Sequence, residues 1–340
     1  MDINVSNFSM QTKVMIYSIA AVILTIGMRD IATILIPIFF SVFIFLIFAP
    51  LIYWLKRKGI PGGVSIGLVI LFFIMVFTGT GVLLMEFLPQ FTSQIPDYQI
   101  QLTESMESLA GYLPVGMPLE GFLPDIGVFI VGLTAGLLTT ILNAGTTVGL
   151  IIITTIFLLL DIAVPGKIRK EAKKHPFLLS RTNDLGSKLV DYIVIRTGIN
   201  LVGGIGAALI LFIGGIDFAI LWGILTFILG YIPYIGFFLA VLPPTLLGLF
   251  KYGIAGAMAV FVAIWLLNLL IENILFPSVA GKGFELPPSI IFISLMYWTY
   301  VLGTPGALIA VPLTMVVKMV IESSGDMRWR TELRESEKED

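Results

Sequence analysis

From Gly59 to Gly166 the chain carries no lysine and no arginine, although 20 of its 340 residues are basic. Ile, Leu, Val, Phe and Gly dominate that stretch. No water-soluble fold can coat its surface with so little charge over such a length. Across the whole chain 57% of residues are hydrophobic and 12% charged, against the ~25% charged residues usual in a soluble domain. The pattern predicts an all-α polytopic integral membrane protein. Helical spans of ~20 residues each, with their connections, give about 7–8 transmembrane helices.

Composition removes whole classes of chemistry. There is no cysteine, hence no disulfide, thiolate nucleophile or Cys-ligated metal. A single histidine removes His-rich zinc and haem sites. That residue, His175, stands in a basic, solvated stretch and is the wrong place for a buried Ser/His/Asp triad. Gly281-Lys282-Gly283 lacks the spacing of a phosphate-binding loop. The reading is therefore not an enzyme, with no cofactor and no metal. A net charge of −2 supplies no field that would draw nucleic acid.

The basic residues set an orientation. Lys56, Arg57 and Lys58 precede the gap, and a dense block from Lys167 to Lys188 follows it. Cytoplasmic loops are enriched in Lys and Arg near span ends, so both clusters are expected inside, with both termini cytoplasmic. The acidic segment between them, holding Asp97, Glu104, Glu107, Glu120 and Asp125, is then outside. On this basis residues 1–64 read as a helical hairpin with a cytoplasmic turn. Residues 65–164 read as two spans flanking an external segment, 89–125. Within that segment Leu102, Met106, Leu109 and Leu113 share one helical face, which predicts an amphipathic helix on the outer leaflet or capping the protein. Residues 165–190 form a basic cytoplasmic helical segment, 191–322 a transport core, and 323–340 a charged cytoplasmic tail. The plasma membrane of a prokaryote is the expected location.

The core contains two interrupted apolar segments of equal length, 218–250 and 289–321. The first breaks at Gly230-Tyr231-Ile232-Pro233-Tyr234-Ile235-Gly236, the second at Gly303-Thr304-Pro305-Gly306. Gly236, Ala240 and Val241 recur in register as Gly306, Ala310 and Val311. Proline lacks an N–H and glycine weakens a helix. The backbone groups so freed are tolerated at membrane depth only where protein or a water-filled cavity satisfies them. Paired broken helices mark binding sites in secondary transporters. Sequence leaves two forms open, re-entrant hairpins or kinked full spans.

Polar residues inside spans are costly and functional by default. Glu272 stands in the run 254–276, with Asn268 one turn earlier and Asn273 beside it. A carboxylate with amide oxygens suits a proton or a hard cation. Arg196 and Asn200 share a face of the run 193–213. Arg196 either counters an anionic solute, pairs with Glu272, or snorkels to the inner interface. Asp217 stands at a helix start as a cap or a further coupling site. Gly203, Gly204 and Gly206 allow close helix crossing.

In order and spacing, several motifs together resemble the autoinducer-2 exporter family of bacterial and archaeal membrane transporters. They are Phe157-Leu158-Leu159-Leu160-Asp161, Ile232-Pro233-Tyr234-Ile235-Gly236, Ile271-Glu272-Asn273-Ile274-Leu275-Phe276-Pro277, Gly281, Leu286-Pro287-Pro288, Gly303-x-x-Gly306 and Pro312. The resemblance covers about 14–322. It implies a secondary transporter of seven or eight spans whose site is built around Glu272 and the two breaks. Leu269, Leu270 and Ile271 precede Glu272 where the family commonly carries a glutamine, and Pro287 stands where a polar residue is expected.

The leading expectation is a secondary exporter of a small polar solute, driven by H+ or Na+, working as a homo-oligomer in the lipid bilayer. A monovalent cation/proton antiporter is the alternative. A membrane scaffold, or the permease subunit of an ATPase-coupled pump, comes third.

Overall fold

The computed structural model describes residues 10–110, 132, 136, 145–161, 176–280 and 286–321. The described residues are helical apart from short turns, with no strand among them. In order they form α1 (Met10–Asp30), α2 (Ala32–Arg57), α3 (Gly62–Ala110), α4 (Gly145–Asp161), α5 (Pro176–Ile213), α6 (Ala219–Leu229) and α7 (Ile235–Leu270). A π-helical turn, Ile271–Leu275, leads into α8 (Phe276–Ala280). Then come α9 (Pro288–Leu302), α10 (Thr304–Leu308) and α11 (Ala310–Ile321). Four stretches are long and apolar enough to cross a membrane: Ala32–Arg57, Gly62–Phe87, Ser187–Ile213 and Ile235–Ala280. Large apolar side chains face outward along them, Met85, Phe212 and Ile213 among the most exposed. A helix apolar all round belongs in lipid or a core, and these faces meet no core among the described residues.

Aromatic and small residues decide how the helices meet. Phe48 on α2 stacks edge-on against Phe73 on α3, 5.2 Å between centroids. Ser41 Oγ on α2 donates to the Ile151 carbonyl on α4 at 3.2 Å. On α5 a Cβ at Gly204 would lie 2.7 Å from the Gly223 carbonyl of α6, and one at Gly206 would lie 3.0 Å from Leu267 on α7. The glycines singled out in the sequence thus mark close approaches of α6 and α7 to α5, as small residues do where helices pack in lipid.

These contacts also resolve the form of the interrupted segments. At the end where α5 finishes, Lys251 Nζ donates to the Gly215 carbonyl at 2.6 Å and reaches Asp217 Oδ1 at 3.3 Å. α6 runs back down α5 from there, turns at Gly230–Tyr234, and α7 returns to Lys251. Both ends of 219–251 therefore lie at one end of α5, so the segment is a hairpin and not a kinked span. The chain then turns sharply at Gly253 (φ 68, ψ −160) and runs the length of α5 to Ala280. The second segment enters from the opposite end. Leu286, Val311 and Met315 cluster with Leu189, Tyr192 and Met319, near the start of α5. α9 rises, turns at Gly303–Ile309, and α11 descends, tied by Trp298 Nε1 donating to Thr314 Oγ1 at 2.9 Å. At both tips a glycine presses on a carbonyl of the facing arm, Gly236 on Leu229 and Gly306 on Trp298, leaving no room for a Cβ. Ala240, Val241, Ala310 and Val311 are all buried behind the tips. The weak sequence repeat is a structural one.

The segment expected to be external differs from the expectation. A single helix, α3, runs through 64–88 and on to Ala110, where a separate amphipathic helix was expected from 89 onward. Its 49 residues span about 73 Å at 1.5 Å per residue. It stays helical through Pro89 and Pro96, although neither has an N–H to donate. Phe87 meets Phe218 at 6.4 Å, which places the far end of the apolar stretch of α3 beside Asp217 and Lys251. Lys56–Lys58 accordingly lie at the end where α5 begins. Leu113, His175, the block 165–175 and the tail from 323 lie outside the described residues. The helix expected to restart at His175–Pro176 does begin at Pro176, and it continues without a break into the α5 span.

Candidate functional site

The tip of the first hairpin lies against α5 well inside its apolar stretch, which begins at Ser187. In an unbroken helix the Gly230 carbonyl would accept the N–H four residues on. The turn at Gly230–Tyr234 removes that donor, and Pro233 has none of its own. Arg196 Nη2 takes its place, donating to the Gly230 carbonyl at 2.5 Å. Arg196 Nη1 donates to both carboxylate oxygens of Glu272, at 2.9 and 3.1 Å. The guanidinium also stacks over the Phe276 ring, 5.5 Å from its centroid. One planar fork therefore ties α5, the hairpin tip and the π-turn together, a task that suits arginine and not lysine. The Arg196 side chain is 12% exposed and that of Glu272 38%. The pair is charge-balanced, and its carboxylate partner is only partly buried.

Around this hub the tip is clamped by an aromatic. Tyr231 donates its hydroxyl to Thr197 Oγ1 at 2.7 Å. Its ring meets Phe43 of α2 edge-on at 5.4 Å and Phe227 of α6 at 5.8 Å. Asn200 lies one turn above Arg196, buried at 5% exposure. A Cβ on Gly230 would lie 2.8 Å from the Asn200 amide carbon and its oxygen. Residue 230 is thus pinned on one side by arginine and on the other by asparagine.

Charged groups inside an apolar helix bundle are costly, which makes this pair at the hairpin tip the candidate site. Residues 14–325 match the family described as AI-2E family transporter. The chain belongs to that family. Among its relatives is the AI-2 transport protein TqsA of Escherichia coli K12, 29% identical over 319 residues, which are 92% of each chain. A transport protein of Haemophilus influenzae, named provisionally, is 28% identical over 327 residues, 90% of this chain and 91% of its own. YrrI of Bacillus subtilis, likewise named provisionally for transport, is 25% identical over 325 residues, 89% of each.

Within this AI-2E transporter the residues anticipated from sequence divide into groups. Arg196, Asn200, Gly230 and Glu272 converge on one point. Of the three roles weighed for Arg196, the structure has it paired with Glu272, not snorkelling. Asn268 is half-buried one turn before the π-turn, and Asn273 is exposed. Pro233 and Gly236 form the same tip. Gly303, Pro305 and Gly306 form the second tip, built on its own hairpin, with α9 held to α1 by Arg29 donating to the Tyr300 hydroxyl at 2.9 Å. Asp217 stands apart, bonded to Lys251 at the mouth of the first hairpin. It does not cap α6, whose start has no side-chain cap; its backbone carbonyl accepts from Trp222 Nε1. Thr197, Tyr231 and Phe276 were missed. Tyr231 and Phe276 lie inside motifs read only for their backbone breaks and their glutamate, so an aromatic within such a motif was the available signal.

Proposed function

We propose that this AI-2E family member is a secondary active transporter that exports a small polar solute, driven by a proton or cation gradient. The observation that carries the reading is the Arg196–Glu272 pair holding the freed Gly230 carbonyl at the hairpin tip. A carboxylate that can trade its arginine for a coupling ion would release the tip from α5. Two hairpins entering from opposite ends supply the inverted geometry that alternating access uses in other secondary transporters. Asn200 and Asn268 complete the proposed coupling site. The second tip, at Gly303–Gly306, is proposed to line the opposite side of the pathway. The protein is proposed to sit in the prokaryotic plasma membrane as a homo-oligomer with both termini cytoplasmic.

The relative TqsA is named for AI-2, which makes AI-2 the first solute to test. In proteoliposomes with an imposed pH or Na+ gradient, the wild-type protein is expected to move AI-2 in step with the gradient. Glu272→Gln is expected to keep solute binding and lose the dependence of flux on the gradient. Unchanged gradient-driven flux in a folded Glu272→Gln protein would remove the coupling role. Ion flux without any added solute would replace export by cation/proton antiport.

A further inference from the structure

Asn200 is 5% exposed, yet its Nδ2 has no hydrogen-bond partner among the described residues. Native proteins satisfy nearly every buried polar atom, and each exception calls for a reason. Leaving such a donor unpaired is costly enough that leucine would serve an inert position better. The side chain is held against Gly230, where a Cβ would stand 2.8 Å from the amide carbon. The unpaired donor therefore sits at the hairpin tip, one residue's width from the Arg196–Glu272 pair.

We propose that Asn200 is a specificity-determining residue of this transporter, donating from Nδ2 to an acceptor oxygen of an uncharged, hydroxyl-bearing solute. The inference rests on the transport reading above and names the solute class of that site. Charge balance selects the class. Arg196 aims three of its five donors at Glu272 and the Gly230 carbonyl. An anionic solute would compete with Glu272 for Arg196, and a cationic one would compete with Arg196 for Glu272. An uncharged solute leaves the pair intact. Its hydroxyl donates to the carboxylate of Glu272, whose side chain is only partly buried, while its acceptor oxygen takes the Asn200 donor. A site built to pair with such an oxygen discriminates against analogues that lack it, because the buried donor is then stranded.

The test measures AI-2 binding to the purified full-length protein and to Asn200→Leu and Asn200→Asp. Leucine removes the polar group at similar volume. Aspartate keeps the shape and the acceptor oxygens but loses the donor. Both variants are expected to bind AI-2 about tenfold or more weakly, the loss of one good hydrogen bond. The melting temperature of ligand-free Asn200→Leu is expected at or above that of wild type, since an unsatisfied buried group is gone. Wild-type affinity in either folded variant overturns the proposal; it is also the result expected if the amide holds only a water molecule. A fall in stability with unchanged affinity overturns it in favour of a packing role. Failure of the wild-type protein to bind AI-2 overturns it as well. Gradient-driven flux by the wild-type protein is measured alongside. If flux persists while the variants bind normally, only this inference fails. If the wild type shows none, the transport reading fails and takes the inference with it.

Discussion

Lys251 and Asp217 are 34 positions apart, and their side chains meet at 3.3 Å across the mouth of the first hairpin. Both are largely exposed there, with side chains at 41% and 53%, so the pair contributes little energy. Its value is topological, because it places the two ends of a long apolar segment on the same side. The native chain has no cysteine, so single cysteines at Asp97, Asp217 and Lys251 are clean probes. All three are expected to react with an impermeant maleimide from the outside. A cysteine at Lys188 is expected to react only after the membrane is permeabilised. Labelling of positions 217 and 251 from opposite sides would restore a kinked full span.

Arg196 serves two acceptors at once. Arg196→Lys keeps the charge but offers a compact ammonium in place of the fork. Either Glu272 or the Gly230 carbonyl is then left short. Breaking a fully buried pair costs about 3–5 kcal/mol; the partial exposure of Glu272 lowers the expected cost to about 1–3 kcal/mol. Arg196→Gln combined with Glu272→Gln is expected to be less destabilised than the sum of the single changes, because neither charge is stranded. Chemical or thermal unfolding in detergent reads this cycle, and simple additivity would mean that the two side chains do not interact.

Gly236 and Gly306 have no room for a methyl group, since each abuts a backbone carbonyl of the facing arm. Gly236→Ala and Gly306→Ala are each expected to cost at least the 1–3 kcal/mol typical of overpacking, because a carbonyl cannot swing aside as a side-chain tip can. Gly253 is the contrasting case. It has open space around it but φ of 68 with ψ of −160, a conformation essentially reserved for glycine, so alanine there incurs backbone strain of about 1–3 kcal/mol and no clash. Melting temperatures that rank Gly253→Ala as the worst of the three would contradict this packing of the tips.

Tyr231→Phe removes one hydroxyl and leaves the ring contacts with Phe43 and Phe227. Loss of the bond to Thr197 is expected to cost about 1 kcal/mol. If the tip is released during transport, the same change is expected to speed its release, seen as a higher turnover at unchanged folding yield. A silent substitution in both readouts would show that the aromatic packing alone seats the tip.

Properties carried by short stretches of chain were legible in the sequence. Apolar runs set the helical membrane class because hydropathy is a local sum. The basic clusters set the expected orientation for the same reason. Gly230–Gly236 and Gly303–Gly306 announced their breaks through missing N–H groups and missing side chains, which need no partner to act. Arg196, Asn200 and Glu272 stood out because polar groups in apolar runs are rare. What each of them touches was not legible. Arg196 finds Glu272 76 positions away only because the first hairpin returns to the end of α5 and the chain then runs back along it, and a kinked span would have had much the same composition. Continuity of α3 past residue 88 was not legible either, since Pro89 and Pro96 suggest a break that the helix does not make. The π-turn at Ile271–Leu275 re-aims Glu272 and Phe276 by one extra residue, a shift that i,i+4 spacing cannot foresee. Local chemistry chose the residues and the breaks; long-range packing of the tip against α5 decided that they form one site.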